Sequence, residues 1–318
     1  MFTGVAMTLE MSSKIFLYLI LLALLPVSFA ASATTQASFT LGFPEDNMSN
    51  DWRAAQMKEI LEELKKHPQI EFFMADAGGS IAKNILDMED MASKGVNVMF
   101  LGPKNPKAVE PVISRLREQG VRIILLTRKI ESDNYDVYIS PDDFDIASRA
   151  AHYLGERLKG KGRILMLEGV RTTTTAANRK QGFLAGLKSY PNIKLISETG
   201  NYSRAEAAAV VENLLAKGEK FDAIYAHNDA MASGARIVLK QNNISPASIP
   251  TISIDFIPET KQAILNGEQS ASFTYPTCGK IGIQAAIDLV QGKKVPKYIK
   301  VPSQLITREN VESVATVY

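Results

Sequence analysis

The chain has 318 residues, 46% of them hydrophobic and 22% charged, with a formal net charge of +2 and a single cysteine, Cys278. This balance belongs to an ordinary globular protein; it excludes a disordered chain and an intramolecular disulfide framework, and it indicates neither a basic nucleic-acid patch nor an acidic tail.

Residues 1–30 read as a secretory signal peptide. In KIFLYLILLALLPVSFAASA, Lys14 precedes an unbroken apolar run from Ile15 to Leu25, and small residues then allow cleavage after Ala30 or Ala33. The run is shorter than the roughly 20 residues of a membrane span, and no cysteine follows it as a lipid attachment point. The expectation is a soluble protein exported to the periplasm. About 285 residues remain, more than one core usually serves, which points to two lobes.

The mature chain opens with ASFTLGF (Ala37 to Phe43), a short strand, after which Ser49, Asn50 or Asp51 can cap a helix. Trp52 and Arg53 therefore stand just beyond the carboxyl end of the first strand, the edge at which open parallel sheets bind ligands. From Ile70 onward one unit repeats: a β-rich run, a cap, an amphipathic helix, a glycine and another β-rich run. Ser80 is an expected N-cap, Ile81, Ile85, Met88 and Met91 fall at helical spacing, and Gly95 suits the left-handed stop before the strand Val96 to Leu101. The unit returns through AVEPVISRLREQGVRIILL, with Gly120 as its stop, then at GRILMLEG, NIKLIS, FDAIYAHND and IPTISID. Strands alternating with helices of this length specify parallel sheets covered on both faces. About ten strands are close to the practical limit of one open sheet, so the α/β fold divides into two, with the break near YDVYISPDDFD. Two lobes without a flexible spacer imply hinged bodies around a cleft.

Signatures of catalysis are missing: no GxSxG elbow, Walker loop, GxGxxG after a strand or HExxH occurs. His67, His152 and His227 lack metal-ligand spacing, and Cys278 has no placed base, so neither an enzyme nor a metal or cofactor is expected. The strand ends carry other chemistry. Beside Trp52 and Arg53 stand Thr127 and Arg128 after RIILL, Arg171, Asn178 and Arg179 after LMLEG, Asn228 and Asp229 after AIYAH, and Asp255 after TISI. Amides, carboxylates and guanidinium groups pair with vicinal hydroxyls, and an indole covers the C–H face of a sugar. Structural roles compete: Trp52 as a core anchor, Asn228 and Asp229 as helix caps, Arg128 and Arg179 as surface ion-pair partners, Thr172 to Thr175 as a turn and helix start. The shared position at strand ends favours the ligand.

In the segments DWRAAQ (51 to 56), LLTRK (125 to 129), ANRKQGF (177 to 183), YAHNDAM (225 to 231) and SIDF (253 to 256), taken in this order, the chain resembles the ribose-binding class of periplasmic sugar-binding proteins, the type I periplasmic binding proteins of ABC importers. The resemblance runs from about Phe39 to the C-terminal tyrosine. It implies two Rossmann-like lobes joined by a three-segment hinge, with crossings near Ile139 to Asp142, Asp255 to Pro258 and Phe273 to Pro276. Residues 36–140 plus 256–274 then form the N-terminal lobe and residues 141–255 plus 275–318 the C-terminal lobe. It assigns Trp52 to stacking on a sugar and Arg53, Arg128, Arg179, Asn228 and Asp255 to its hydroxyls; at its most specific it implies D-galactofuranose. The expected partners are a sugar or sugar acid and an ABC permease, or alternatively a sensor kinase or chemoreceptor that reads the closed form, with the protein a monomer. DNA-binding relatives carry a helix-turn-helix where this chain has its signal peptide, so no nucleic acid is expected. Two positions depart from the family pattern. Thr127 replaces a common Asp, leaving Arg128 less neutralised and suiting a more acidic ligand, and Phe256 replaces a common Gly, narrowing the pocket or adding a second ring to it.

Overall fold

The structure is a computed structural model describing residues 38–317. The expected signal peptide lies outside the described residues. In chain order the first sheet receives β1 (Phe39–Glu45), β2 (Ile70–Asp76), β3 (Val98–Leu101), β4 (Arg122–Leu126) and β5 (Val137–Ser140). Between them run α1 (Asp51–Leu64), α2 (Ile81–Ser93) and α3 (Pro106–Glu118). After α4 (Asp143–Arg157) the second sheet receives β6 (Lys161–Glu168), β7 (Asn192–Thr199), β8 (Ala223–Ala226), β9 (Thr251–Asp255) and β10 (Ala271–Thr274). Its connections are α5 (Thr174–Leu187), α6 (Arg204–Ala216), α7 (Asp229–Gln241) and α8 (Pro258–Leu265). The chain then returns through α9 (Gly279–Val290) and β11 (Tyr298–Lys300) to the first sheet, and ends with β12 (Leu305–Thr307) on the second.

Each sheet has six strands, in the orders β11-β5-β4-β3-β1-β2 and β12-β10-β9-β8-β6-β7. All described pairings are parallel except that of β10 with β12. The central strands VMFL and RIILL are apolar on both faces because helices cover both sides. On one face of the first sheet Leu41, Phe43, Phe100 and Ile124 pack against Met57 and Ile60 of α1 and Ile283 and Ala286 of α9. On the other, Met99, Leu101 and Ile123 meet Met88 and Met91 of α2 and Val112 of α3. The local expectations hold: the Ser80 side chain accepts the Lys83 N–H at 3.3 Å, and Gly95 and Gly120 take φ of +85° and +90°.

The lobe boundaries differ from the sequence expectation. Residues 256–274, expected in the first lobe, hold α8 and β10, and β10 pairs with β9 in the second sheet. Residues 275–318, expected in the second lobe, begin with α9, which packs on the first lobe, and β11, which pairs with β5. The chain changes sheets between β5 and α4, between β10 and α9, and between β11 and β12. The crossing expected at Asp255 to Pro258 is therefore an ordinary turn from β9 into α8, and the third crossing runs through Val301 to Gln304. Strand pairing, which local alternation does not encode, decides this.

Candidate ligand-binding cleft

The strand-end loops of the two sheets meet around one cavity. Direct hydrogen bonds join the lobes beside it. The Thr172 hydroxyl donates to the Lys104 carbonyl at 2.6 Å, the Thr175 hydroxyl to the Thr127 carbonyl at 3.0 Å, and the Lys129 N–H to the Thr174 hydroxyl at 2.9 Å. The lobes are closed on each other.

Asn50 caps α1 by accepting the Arg53 N–H at 2.8 Å, which fixes the first turn and points Trp52 and Arg53 inward. Trp52 lines the cavity, but it also packs among second-lobe residues such as Ile146 and Tyr275 and donates its indole N–H to the Tyr275 carbonyl at 2.9 Å. The core-anchor and ligand roles meet in one ring. Its plane is tilted 56° to that of Tyr275, with centroids 5.8 Å apart.

Three guanidinium groups reach the same cavity, each buried beside an acidic side chain. Arg53 lies 3.3 Å from Glu45 and donates to Gln56 at 2.8 Å. Arg128 donates to Asp46 at 2.7 Å and to the Gly102 carbonyl at 3.1 Å. Arg179 donates to Asp143 at 2.8 Å and to the His227 carbonyl, while its guanidinium carbon lies 4.5 Å from the centre of the Tyr275 ring. These pairs correct the surface reading of Arg128 and Arg179, and also the expectation that Thr127 leaves Arg128 short of a countercharge. Asp46, at the end of β1, supplies the carboxylate from another strand.

Asp255 completes the ring of polar groups. Burial, reinforced by the negative charge of Asp229, holds its carboxyl well above the usual carboxylate range. Asn228 caps α7 through the Met231 N–H at 3.0 Å and donates to the Tyr202 carbonyl at 3.3 Å while lining the cavity. His227 is fully buried and accepts the Gly169 N–H at 3.2 Å; burial keeps its ring neutral.

Seven of the expected residues thus converge: Trp52, Arg53, Thr127, Arg128, Arg179, Asn228 and Asp255. Asp229 and Phe256 do not line the cavity. Asp229 turns into the second lobe, where its carboxylate accepts the hydroxyls of Ser253 and Ser272 and the Ile257 N–H. Phe256 neither narrows the pocket nor adds a ring to it; it packs with Ile264, Ile306 and Val311. Arg171 pairs with Glu168 and Asn178 is exposed. Sequence reasoning missed Asn50 as more than a cap, Thr175 as more than part of a turn, Tyr202 in the loop after β7, and Tyr275 at the second crossing. The last two also stand at strand ends, so the signal used for the others would have found them.

Backbone strain gathers at the same place. Among the cavity residues, Thr127, Tyr202 and Asp255 have φ of +62°, +62° and +128°, values that L residues with side chains adopt only at a cost of order 1–3 kcal/mol each. Among the described residues no group of three or more His, Cys, Asp and Glu is placed to hold a metal ion.

The profile of the periplasmic binding protein domain matches residues 42–294. The chain is 29% identical over 262 residues to the galactofuranose-binding protein of Escherichia coli (strain K12), spanning 79% of this chain and 82% of that protein. It is 26% identical over 283 residues to the ribose import binding protein of Bacillus subtilis (strain 168), spanning 88% and 90%. Among solved structures, the fructose-binding periplasmic domain of a hybrid two-component system superposes with a TM-score of 0.82 at 29% identity, covering 86% of this chain and 92% of that one. A galactofuranose-binding protein gives a TM-score of 0.81 at 25% identity, covering 86% and 96%.

Proposed function

The chain belongs to the periplasmic binding protein family, and from that premise we propose that it captures a sugar or sugar acid between its lobes in the periplasm and presents the closed form to an ABC importer permease. One observation carries the sugar reading: an indole, three guanidinium groups, an amide and a carboxyl group converge on one cavity lined by buried side chains. Arg128 and Arg179 have buried carboxylates, Asp46 and Asp143, whereas Glu45 beside Arg53 keeps its proton at neutral pH, so the charge count leaves both neutral sugars and sugar acids as ligands.

Binding proceeds by population shift. The sugar docks on one lobe, and contacts from the other favour closure only when it bridges the two. No bond is made or broken, and the catalytic motifs absent from the sequence are not needed. Its similarity to the periplasmic domain of a hybrid two-component system favours a second reading, in which the closed form is read by a sensor kinase. Neighbouring genes for a permease and ATPase support the importer, and a neighbouring kinase gene supports the sensor.

Thermal-shift screening of the mature protein against pentoses, hexoses and their uronic acids tests the proposal, because a ligand that binds only the folded state raises the melting temperature. At least one of these sugars should give the shift. A panel in which none stabilises the protein would refute the sugar reading.

A further inference from the structure

Of the three guanidinium groups at the cavity, two are hydrogen-bonded to a carboxylate, Arg128 to Asp46 at 2.7 Å and Arg179 to Asp143 at 2.8 Å. Arg53 is not. Its Nη1 donates to the side-chain oxygen of Gln56 at 2.8 Å, while Glu45 stands 3.3 Å away with an Oε2 that makes no hydrogen bond. Gln56 is fully buried and its amide can turn only one way: Nε2 donates to the Thr277 carbonyl at 2.6 Å, which leaves Oε1 for Arg53. Arg53 is thus oriented by a neutral amide, and among the described residues its Nε and Nη2 donate to nothing.

The three differ in charge balance as they do in geometry. Burial disfavours the cation in all of them, but Asp46 and Asp143 reverse this and raise Arg128 and Arg179 above the ordinary arginine value. Arg53 alone is lowered, by burial and by the nearby charge of Arg128. An arginine keeps its proton in either case, so the first-lobe wall holds two cations, Arg53 and Arg128, and one hydrogen-bonded carboxylate. The other acid there, Glu45, keeps its proton at neutral pH because burial pushes it up to about 8. The shortage of countercharge that the sequence suggested for Arg128 falls on Arg53.

We propose that the ligand is a sugar acid whose carboxylate pairs with the free Nε and Nη2 edge of Arg53 on the first-lobe wall of the cavity. The inference rests on the sugar reading above and names the substrate class of the same site. That edge is a planar fork, which holds a carboxylate by two parallel hydrogen bonds. The pairing supplies the countercharge that a buried cation lacks, whereas a neutral sugar leaves it uncompensated. Asp255 lines the cavity from the second lobe, so a ligand turned this way offers it hydroxyls instead of an anion. Gln56 becomes a positioning residue: it does not line the cavity, and it sets the angle at which Arg53 meets the ligand.

The test is calorimetric titration of the mature protein with D-galacturonate, D-glucuronate, D-ribonate and L-arabinonate, each against its neutral counterpart, D-galactose, D-glucose, D-ribose or L-arabinose. It is run at about pH 6.5 and about pH 9 on the wild type, Arg53→Gln and Glu45→Gln. At the lower pH at least one acid should bind the wild type about tenfold or more tightly than its counterpart, and Arg53→Gln should lose about tenfold or more of the affinity for that acid. At the higher pH Glu45 ionises and becomes the partner of Arg53, so the preference should narrow about threefold or more in the wild type than it does in Glu45→Gln. The charged groups facing Glu45 are Arg53, Asp46 and Arg128; the arginines stay protonated and Asp46, at about 2, stays ionised over this range. Asp255 is common to wild type and variant, so the difference between their profiles belongs to Glu45. The proposal is overturned, with the sugar reading intact, if neutral sugars bind and no acid binds more tightly than its counterpart, or if Arg53→Gln folds, as judged by circular dichroism, and keeps the preference. Should Arg53→Gln not fold, equal pH profiles of wild type and Glu45→Gln overturn it. Failure of every compound to bind the wild type overturns the sugar reading itself.

Discussion

Glu45 is buried beside Arg53 and donates no charge to it at neutral pH. Burial outweighs the attraction of Arg53 and pushes the carboxyl up to about 8. The folded state keeps a proton that the unfolded chain begins to release near its ordinary value of 4.5, so the associated stability is complete below that value and lost as pH rises through about 8. Asp46 has the opposite sign: burial alone would raise it, but Arg128 and the hydrogen bond with Glu45 bring it down to about 2. Its stability is present above 3.8 and lost as pH falls through 2. Urea unfolding of Glu45→Gln between about pH 5 and about pH 9 should show a flatter decline than the wild type; parallel curves would contradict the protonated state. Trp52→Phe keeps a ring but loses the bond to the Tyr275 carbonyl. Sugar affinity should fall about fivefold, corresponding to about 1 kcal/mol for one buried hydrogen bond, as read by calorimetry. Residue type and strand-end position were legible for seven of the lining residues. Which way a strand-end side chain turns was not: Asp255 faces the cavity and Phe256, its neighbour, faces the second-lobe core. Successive residues point to opposite sides, and no composition signal fixes the phase.

Elements repeat the lesson at a larger step. Periodicity, caps and glycine stops made β1 through α3 readable because each depends on residues close in sequence. The partners of β10 and β11 depend on pairing with strands far away, and there the expectation misplaced both. The turn from β9 into α8 shows why Phe256 replaces the glycine common in the family. Its φ of +61° costs about 1–2 kcal/mol for an L residue, whereas its fully buried ring, packed on Ile264 and Ile306, contributes about 3–5 kcal/mol. Packing wins. Phe256→Gly should therefore lower stability by about 2 kcal/mol or more despite relieving the backbone, and a rise in the urea midpoint would show the ranking to be wrong.

For the molecule as a whole, closure is held by few direct bonds between lobes, and the Thr175 hydroxyl makes one of them. Thr175→Val should shift the free protein toward the open form, giving a larger radius of gyration in solution scattering without sugar and an equal one at saturating sugar. Identical scattering of both proteins in the free state would show that this contact does not govern the equilibrium. The two-lobed plan was legible from strand number alone; the route of the chain between the lobes was not.

That route has a consequence for biogenesis. Each sheet receives an edge strand only after Tyr298, β11 for one half and β12 for the other. A nascent polypeptide halted before that point owns two unfinished halves, not one completed and one pending. Neither can reach its final architecture until almost all of the chain has been synthesised.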